Sequence, residues 1–464
     1  MIFSIIKPLL YFPFFLLLGC TKPPVKIKTL VENKTETEQT SITHVANVPY
    51  YIDKKLRTEN YIYEPIIHTV QLYQKLSYDQ NGNKAVELPP PLSTIDQTSP
   101  LVLEFDEITD QTHAPFHVRL YHCNSDWSLS MLSDIEYLHD FNDFSITKYE
   151  YSSGPKVPYI HYTFELPKVK LSGNYIVMVH REGNIKDILL TSRFLIYENI
   201  IQINANVRAS QGIRERFTHQ QVDFSINYSG YDLINPRDAV KINLRQNFKW
   251  ADAITKLNPY AIREDNTTLD YTFFNLENNF PGGNEFRYFD IRSLKFLGVN
   301  VFKLNIKPDT NEVILGKDKT RATEPYTQVK DMNGNYVIDN YESNNGATYA
   351  DYSNVKFTLM APQPAPGDVY IYGAITNWQM GDENKMVYNK ETQSYSKYLL
   401  LKQGYYNFQY VLEKPTIKLP DASYFEGDHF ETENMYDIIV YYRPPGARND
   451  LIIGYKQIDF NSRR

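Results

Sequence analysis

Ser172-Gly173-Asn174-Tyr175-Ile176-Val177-Met178-Val179-His180, followed by Thr191-Ser192-Arg193-Phe194-Leu195-Ile196-Tyr197, decides the fold. Ser-Gly-Asn is a hairpin turn signal, and short runs rich in Val, Ile, Tyr and Phe between turn residues read as strands. The same form recurs from Tyr61 onward. Strands are predicted at 67–72, 101–105, 116–121, 159–166, 175–180 and 191–197, then at 201–207, 222–228, 240–246, 269–274, 286–291 and 300–306. A polar stretch, 308–350, precedes further strands at 355–360, 369–372, 395–401, 405–411 and 436–442. Asn235-Pro236 and Pro281-Gly282-Gly283 mark turns in the second group. This spacing belongs to β-sandwiches, not to βαβ units. One helical or irregular excursion is expected within 131–137, where Ser130 and Ser133 can cap and Leu132, Ile135 and Tyr137 give a partial apolar face. The expectation is an all-β chain of three consecutive β-sandwich domains, 49–199, 200–350 and 351–464.

Ahead of these, Leu17-Leu18-Gly19-Cys20 closes an apolar run that begins at Leu9 and follows the single basic residue Lys7. A basic start, an apolar middle and a small residue before cysteine have the form of a bacterial lipoprotein signal, residues 1–19, with lipidation of Cys20. A plain signal peptide and a retained anchor are the alternatives. The anchor is weakened by Pro8 and Pro13 and by a run too short for roughly 30 Å of hydrocarbon. Acyl chains contribute about 0.8 kcal/mol per buried methylene, so a multiply acylated Cys20 holds a protein firmly to a membrane. Residues 20–48, with Lys22-Pro23-Pro24 and a Ser/Thr-rich end, lack a periodic apolar face and read as a flexible tether.

With Cys20 committed to lipid, Cys123 is the remaining thiol of the two in the chain, so no intrachain disulfide is available in the oxidising compartment that export implies. The core must hold by burial. Net charge is −7, or −8 once Lys7 leaves with residues 1–19 (−7 minus +1), which argues against nucleic acid as a partner. Tyr at 38 and Phe at 25 dominate the aromatic residues, as suits pleated, half-wet sheet surfaces.

Candidate chemistry is sparse. His117, His122 and Cys123 lie close in sequence, but on one strand His117 and Cys123 share a face and His122 takes the other, so they do not converge on a metal. Asp331-Met332-Asn333-Gly334 has the start of a calcium loop, yet position 340 is Asn where a bidentate Glu belongs, and Asn-Gly suits a tight turn. Glu104, Asp106 and Glu107 read as a solvated strand end without a basic partner nearby in sequence. No Gly-rich phosphate loop, nucleophile elbow or zinc-peptidase helix motif occurs, and neither a metal nor a cofactor is expected. The chain reads as a protein that binds, not an enzyme.

The run His122-Cys123-Asn124-Ser125-Asp126-Trp127-Ser128-Leu129-Ser130, with Glu136-Tyr137-Leu138 and Phe141-Asn142, resembles the plug protein family of the Bacteroidota type IX secretion system. Further matches follow in the same order: Ser172 to Tyr175, Arg193-Phe194, Gln246-Asn247 with Trp250, and Gly282 to Arg287. Asp331 with Asn333-Gly334, Gly427, Thr432 to Asn434 with Tyr436, and Tyr441 to Arg443 complete them. The resemblance implies a non-enzymatic, periplasmic protein of immunoglobulin-like modules. Such a protein docks on the giant outer-membrane β-barrel translocon and closes its periplasmic opening when no cargo shuttle is attached. The location so implied is the outer membrane, lipid-anchored on its periplasmic side through Cys20. More weakly, Val369 to Gly373, Asn377-Trp378, Met386 to Asn389 and Gly404 to Tyr410 look like the early-set sandwich of glycogen-binding modules. That likeness implies the alternative function, a lipid-anchored glycan-binding protein in which Trp378 stacks on sugar; the plainer role for Trp378 is to shape the sandwich.

Overall fold

Each strand expected from the sequence forms in the computed structural model, which describes residues 54–75, 87–343 and 345–461. Alternation does the work locally: in Phe116–Cys123, Phe116, Val118 and Leu120 are buried in the first core while the residues between them face away. The first sandwich packs the sheet of Phe116–Cys123, Gly173–Arg181 and Ile188–Tyr197 against that of Ile67–Gln74, Leu101–Ile108, Lys148–Tyr151 and Tyr159–Glu165. The excursion between them includes the short helix Asp134–Tyr137, where the Ser133 backbone N–H donates to Glu136 Oε2 at 2.8 Å as the capping serine should.

Strand pairing then departs from three beads in a row. Val240–Gln246 pairs with Asn434–Tyr442, which in turn pairs with Leu451–Phe460, so the end of the chain supplies the second sheet of the middle sandwich. Arg287–Asp290 pairs instead with Gly404–Lys414 of the third sandwich. The boundary expected between residues 350 and 351 is therefore crossed by hydrogen-bonded sheets, and the second and third sandwiches are interleaved in sequence. Their cores remain distinct, one around Phe224, Tyr271, Ile438 and Val440, the other around Phe289, Phe357, Phe408 and Ile371. The first and middle sandwiches also share an apolar layer. Cys123, Ile176 and Leu195 on one sheet meet Ile439, Tyr441 and Ile452 on the other.

The first and third sandwiches are joined by buried charge, which corrects the expectation of a solvated strand end at Asp106. Asp106 is 0% and Lys402 1% exposed, and Lys402 Nζ lies 2.6 Å from Asp106 Oδ2. His161 Nδ1 bonds Asp106 Oδ1 at 2.8 Å, and Tyr352 donates to Oδ2 at 2.7 Å. Glu107 is buried as well, taking the Tyr162 hydroxyl at 2.9 Å. Burial alone would raise the Asp106 pKa, but Lys402 and His161 overcome it and hold the carboxyl below its ordinary value. Burial would likewise depress His161, yet hydrogen bonds to Asp106 and Glu104 raise it to about 9. The basic partner was invisible in sequence because Lys402 lies 296 residues away.

The middle and third sandwiches are joined where the chain crosses at 281–287 and returns at 425–434. The two crossings bond each other: Asn434 Nδ2 donates to Gly282 O at 2.8 Å and Thr432 Oγ1 to Gly283 O at 2.9 Å. A Cβ on Gly282 would lie 2.0 Å from His429 O, so only glycine fits there. Beside this joint, Asp331 accepts the N–H groups of Phe286 and Asn333, and the buried Glu285 accepts the Tyr326 hydroxyl and the Glu433 backbone N–H. Burial, with the neighbouring Glu285 and Glu433 carboxylates, pushes Asp331 up to about 7.

Two outcomes are expected from these joints. Lys402→Met strands a buried carboxylate and should cost about 3–5 kcal/mol in urea unfolding, while adding Asp106→Leu should recover part of the loss. For Asp331 the folded pKa exceeds the unfolded one, so its contribution is fully present below about pH 4 and is lost as pH rises through 7. Denaturation midpoints should fall between pH 5 and pH 8, and Asp331→Asn should flatten that dependence.

Candidate functional site

The chain has three tryptophans, and all line one cleft of about 560 Å³. Its walls come from each sandwich: Trp127 and Arg193 from the first, Arg245 and Trp250 from the second, Tyr336 and Trp378 from the third. Trp127 sits on the loop after Phe116–Cys123, at a left-handed φ of 65° that bulky residues rarely adopt. The loop is pinned in that shape. Trp127 N donates to Asn124 O at 2.9 Å, Ser128 N to Asp126 Oδ1 at 3.0 Å, and Ser125 N and Oγ to Asp450 Oδ2 at 2.9 and 2.8 Å.

Aromatic and guanidinium groups then stack. Trp127 meets Trp250 edge to face, with centroids 4.8 Å apart and planes at 88°. Arg193 lies 4.1 Å from the Trp127 ring centre and Arg245 4.2 Å from that of Trp250. Arg245 is fixed by Asp437, with Nε to Oδ1 at 3.0 Å; burial would lower its pKa, and the Asp437 carboxylate reverses this and raises it. Arg193 differs: burial lowers its pKa to about 10, its Nε donates to Thr58 O at 2.6 Å, and it makes no ion pair among the described residues. The buried indole N–H of Trp127 also has no acceptor among the described residues. Trp378, at φ 57°, packs edge-on against Phe286 and Tyr372. Gly334 makes room for it, since a Cβ there would come within 2.3 Å of the Trp378 ring. Such a cleft offers hydrogen-bond donors and aromatic surface, a chemistry of holding.

The other residues singled out in sequence fall into place around it. His117 bonds Asp143 and Ser145 at 2.9 and 3.1 Å, while His122 packs between Tyr137 and Tyr175, so the two face apart as the strand alternation requires. Cys123 lies in the layer between the first two sandwiches, where burial pushes its thiol up to about 12. Asn333 and Gly334 both have positive φ, and Asn335 N donates to Met332 O at 3.0 Å, so this segment is the tight turn expected. Cys20 lies outside the described residues. Missed in sequence were Arg245 and Asp437, each a charge within a strand whose partner is distant in the chain, and Asp450, which stands just ahead of the last strand and reaches Ser125 and Lys241.

The residues that carry the family resemblance meet at the joints. Asn124 receives Arg443 at 2.9 Å through its side chain and Asn174 at 2.9 Å through its carbonyl, and Tyr441 donates to Asn174 at 2.8 Å. Residues 67–198, the extent of the first sandwich, match the type 9 secretion system plug protein 1st domain. Among solved structures, a hypothetical protein from Parabacteroides merdae ATCC 43184 is 30% identical, with a TM-score of 0.82 over 88% of this chain and 100% of that one. No curated protein matches. With its first domain matched and its architecture shared along the whole length of that relative, the chain belongs to the type 9 secretion system plug protein family.

Proposed function

We propose that this protein docks on the periplasmic opening of the outer-membrane β-barrel translocon of the secretion system and seals it while no cargo shuttle is attached. It acts without catalysis. The observation that carries the reading is the plug-domain match at 67–198, whose distinctive Trp127 loop is spent on locking sandwiches together. A seal must resist deformation, and sandwiches cross-linked by shared sheets, buried charge and stacked tryptophans make a block able to cover a wide mouth. Stable docking requires roughly 1,200–2,000 Å² of buried surface. Lipidation of Cys20 would add a membrane anchor and raise the local concentration near the barrel. The glycan-binding alternative has less support, because the Trp378 ring is committed to Phe286, Tyr372 and Gly334.

In planar bilayers, the purified barrel should conduct markedly less with this protein bound than without it; equal conductance at verified full occupancy would refute sealing. An alkyne fatty acid should label the wild-type chain and not Cys20→Ala, and the variant should move to the soluble envelope fraction.

A further inference from the structure

We propose that residues 295–307 form a contact with an anionic phospholipid surface. The segment reads Lys295-Phe296-Leu297-Gly298-Val299-Asn300-Val301-Phe302-Lys303-Leu304-Asn305-Ile306-Lys307. Phe296 is 75%, Leu297 60% and Phe302 72% exposed, with Val299 and Ile306 exposed beside them. Scattered apolar residues on a surface need no explanation, whereas a run of them on one loop and its adjoining strand does.

The loop is braced. Asp290 N donates to Val299 O at 3.1 Å, Asn300 Nδ2 to Tyr288 O at 2.6 Å, and Gly316 N to Asn300 O at 2.9 Å. Gly298 lies so close to Asp290 that a Cβ there would meet its carbonyl at 2.0 Å. The apolar side chains are thus held in water by a fixed backbone, already arranged for whatever covers them.

Charge identifies the cover. The segment carries Lys295, Lys303 and Lys307 and no acidic residue, in a chain whose net charge is −7. None of the three lysines makes an ion pair among the described residues. Exposed aromatic and aliphatic side chains interspersed with lysines match the boundary between acyl chains and anionic headgroups. Strand addition by a protein fits less well. Val301–Ile306 is an edge strand, but its register shifts between Val301 and Lys303, and an exposed lysine together with a bulge is how edges refuse a further strand.

The test uses the full chain carrying Cys20→Ala, so that acyl groups contribute nothing, and vesicles without any barrel, so that its outcome is independent of sealing. Flotation with phosphatidylethanolamine/phosphatidylglycerol 3:1 vesicles should succeed and should weaken at least tenfold with phosphatidylcholine alone. Phe296→Ser with Phe302→Ser, and separately Lys295→Glu with Lys303→Glu, should each weaken it at least tenfold. All four positions belong to an exposed segment, and circular dichroism will verify the fold. Phe296→Trp emission should shift to the blue and be quenched by brominated lipid. Absence of flotation, or serine variants that float like the parent, overturns the proposal. So does dependence on Phe296 and Phe302 for retention of a protein partner in the absence of lipid binding.

Discussion

A sheet that is apolar on both faces must be covered twice, and in this protein that sheet contains Gly173–Arg181, buried along nearly its whole length. One face lies in the first core, with Tyr175, Val177 and Val179; the other presents Ile176 to the neighbouring sandwich. The second cover is built from Asn434–Tyr442 and Leu451–Phe460, themselves buried against the middle core. Interleaving follows directly, because the chain must build the third sandwich and then come back. Each crossing brings polar backbone into a buried joint, and Asn434, Thr432 and Gln220 satisfy it.

The same economy explains where the charges are. Asp106, Arg245 and Glu426 are buried at or beside junctions, and each has a partner from far along the chain: Lys402, Asp437 and Arg287. Such pairs contribute little net stability against an apolar substitute, but breaking one leaves a buried charge unpaired at great cost. Asp106–Lys402 thereby selects how the first sandwich docks on the third, whereas Arg245–Asp437 fixes the register of two neighbouring strands in the middle one.

Strand positions were legible in sequence because period-two alternation is local; Val240–Gln246 was located to the residue. Pairing was not, since nothing in that segment names Asn434–Tyr442 as its neighbour. Leu451–Phe460 escaped notice because Lys456, Gln457 and Asp459 break its apolar pattern once it runs beyond the cover it provides. The Asn333-Gly334 turn and the Ser133 cap were readable from short-range backbone chemistry. The tryptophan cleft was not: its parts were recognisable as family marks, but their convergence depends on three separate sandwiches.

Interleaving also sets a timetable for folding. During synthesis the first sandwich has all its strands once residue 197 has emerged, whereas Gln246 waits for Tyr436, 190 residues later. At about 5–20 residues per second that delay is roughly 10–40 s. Throughout it, the apolar face of the half-built middle sandwich and the second face of Gly173–Arg181 stand open together. Until the last two strands arrive these apolar faces have no cover, which is the interval in which such a chain is most exposed to aggregation.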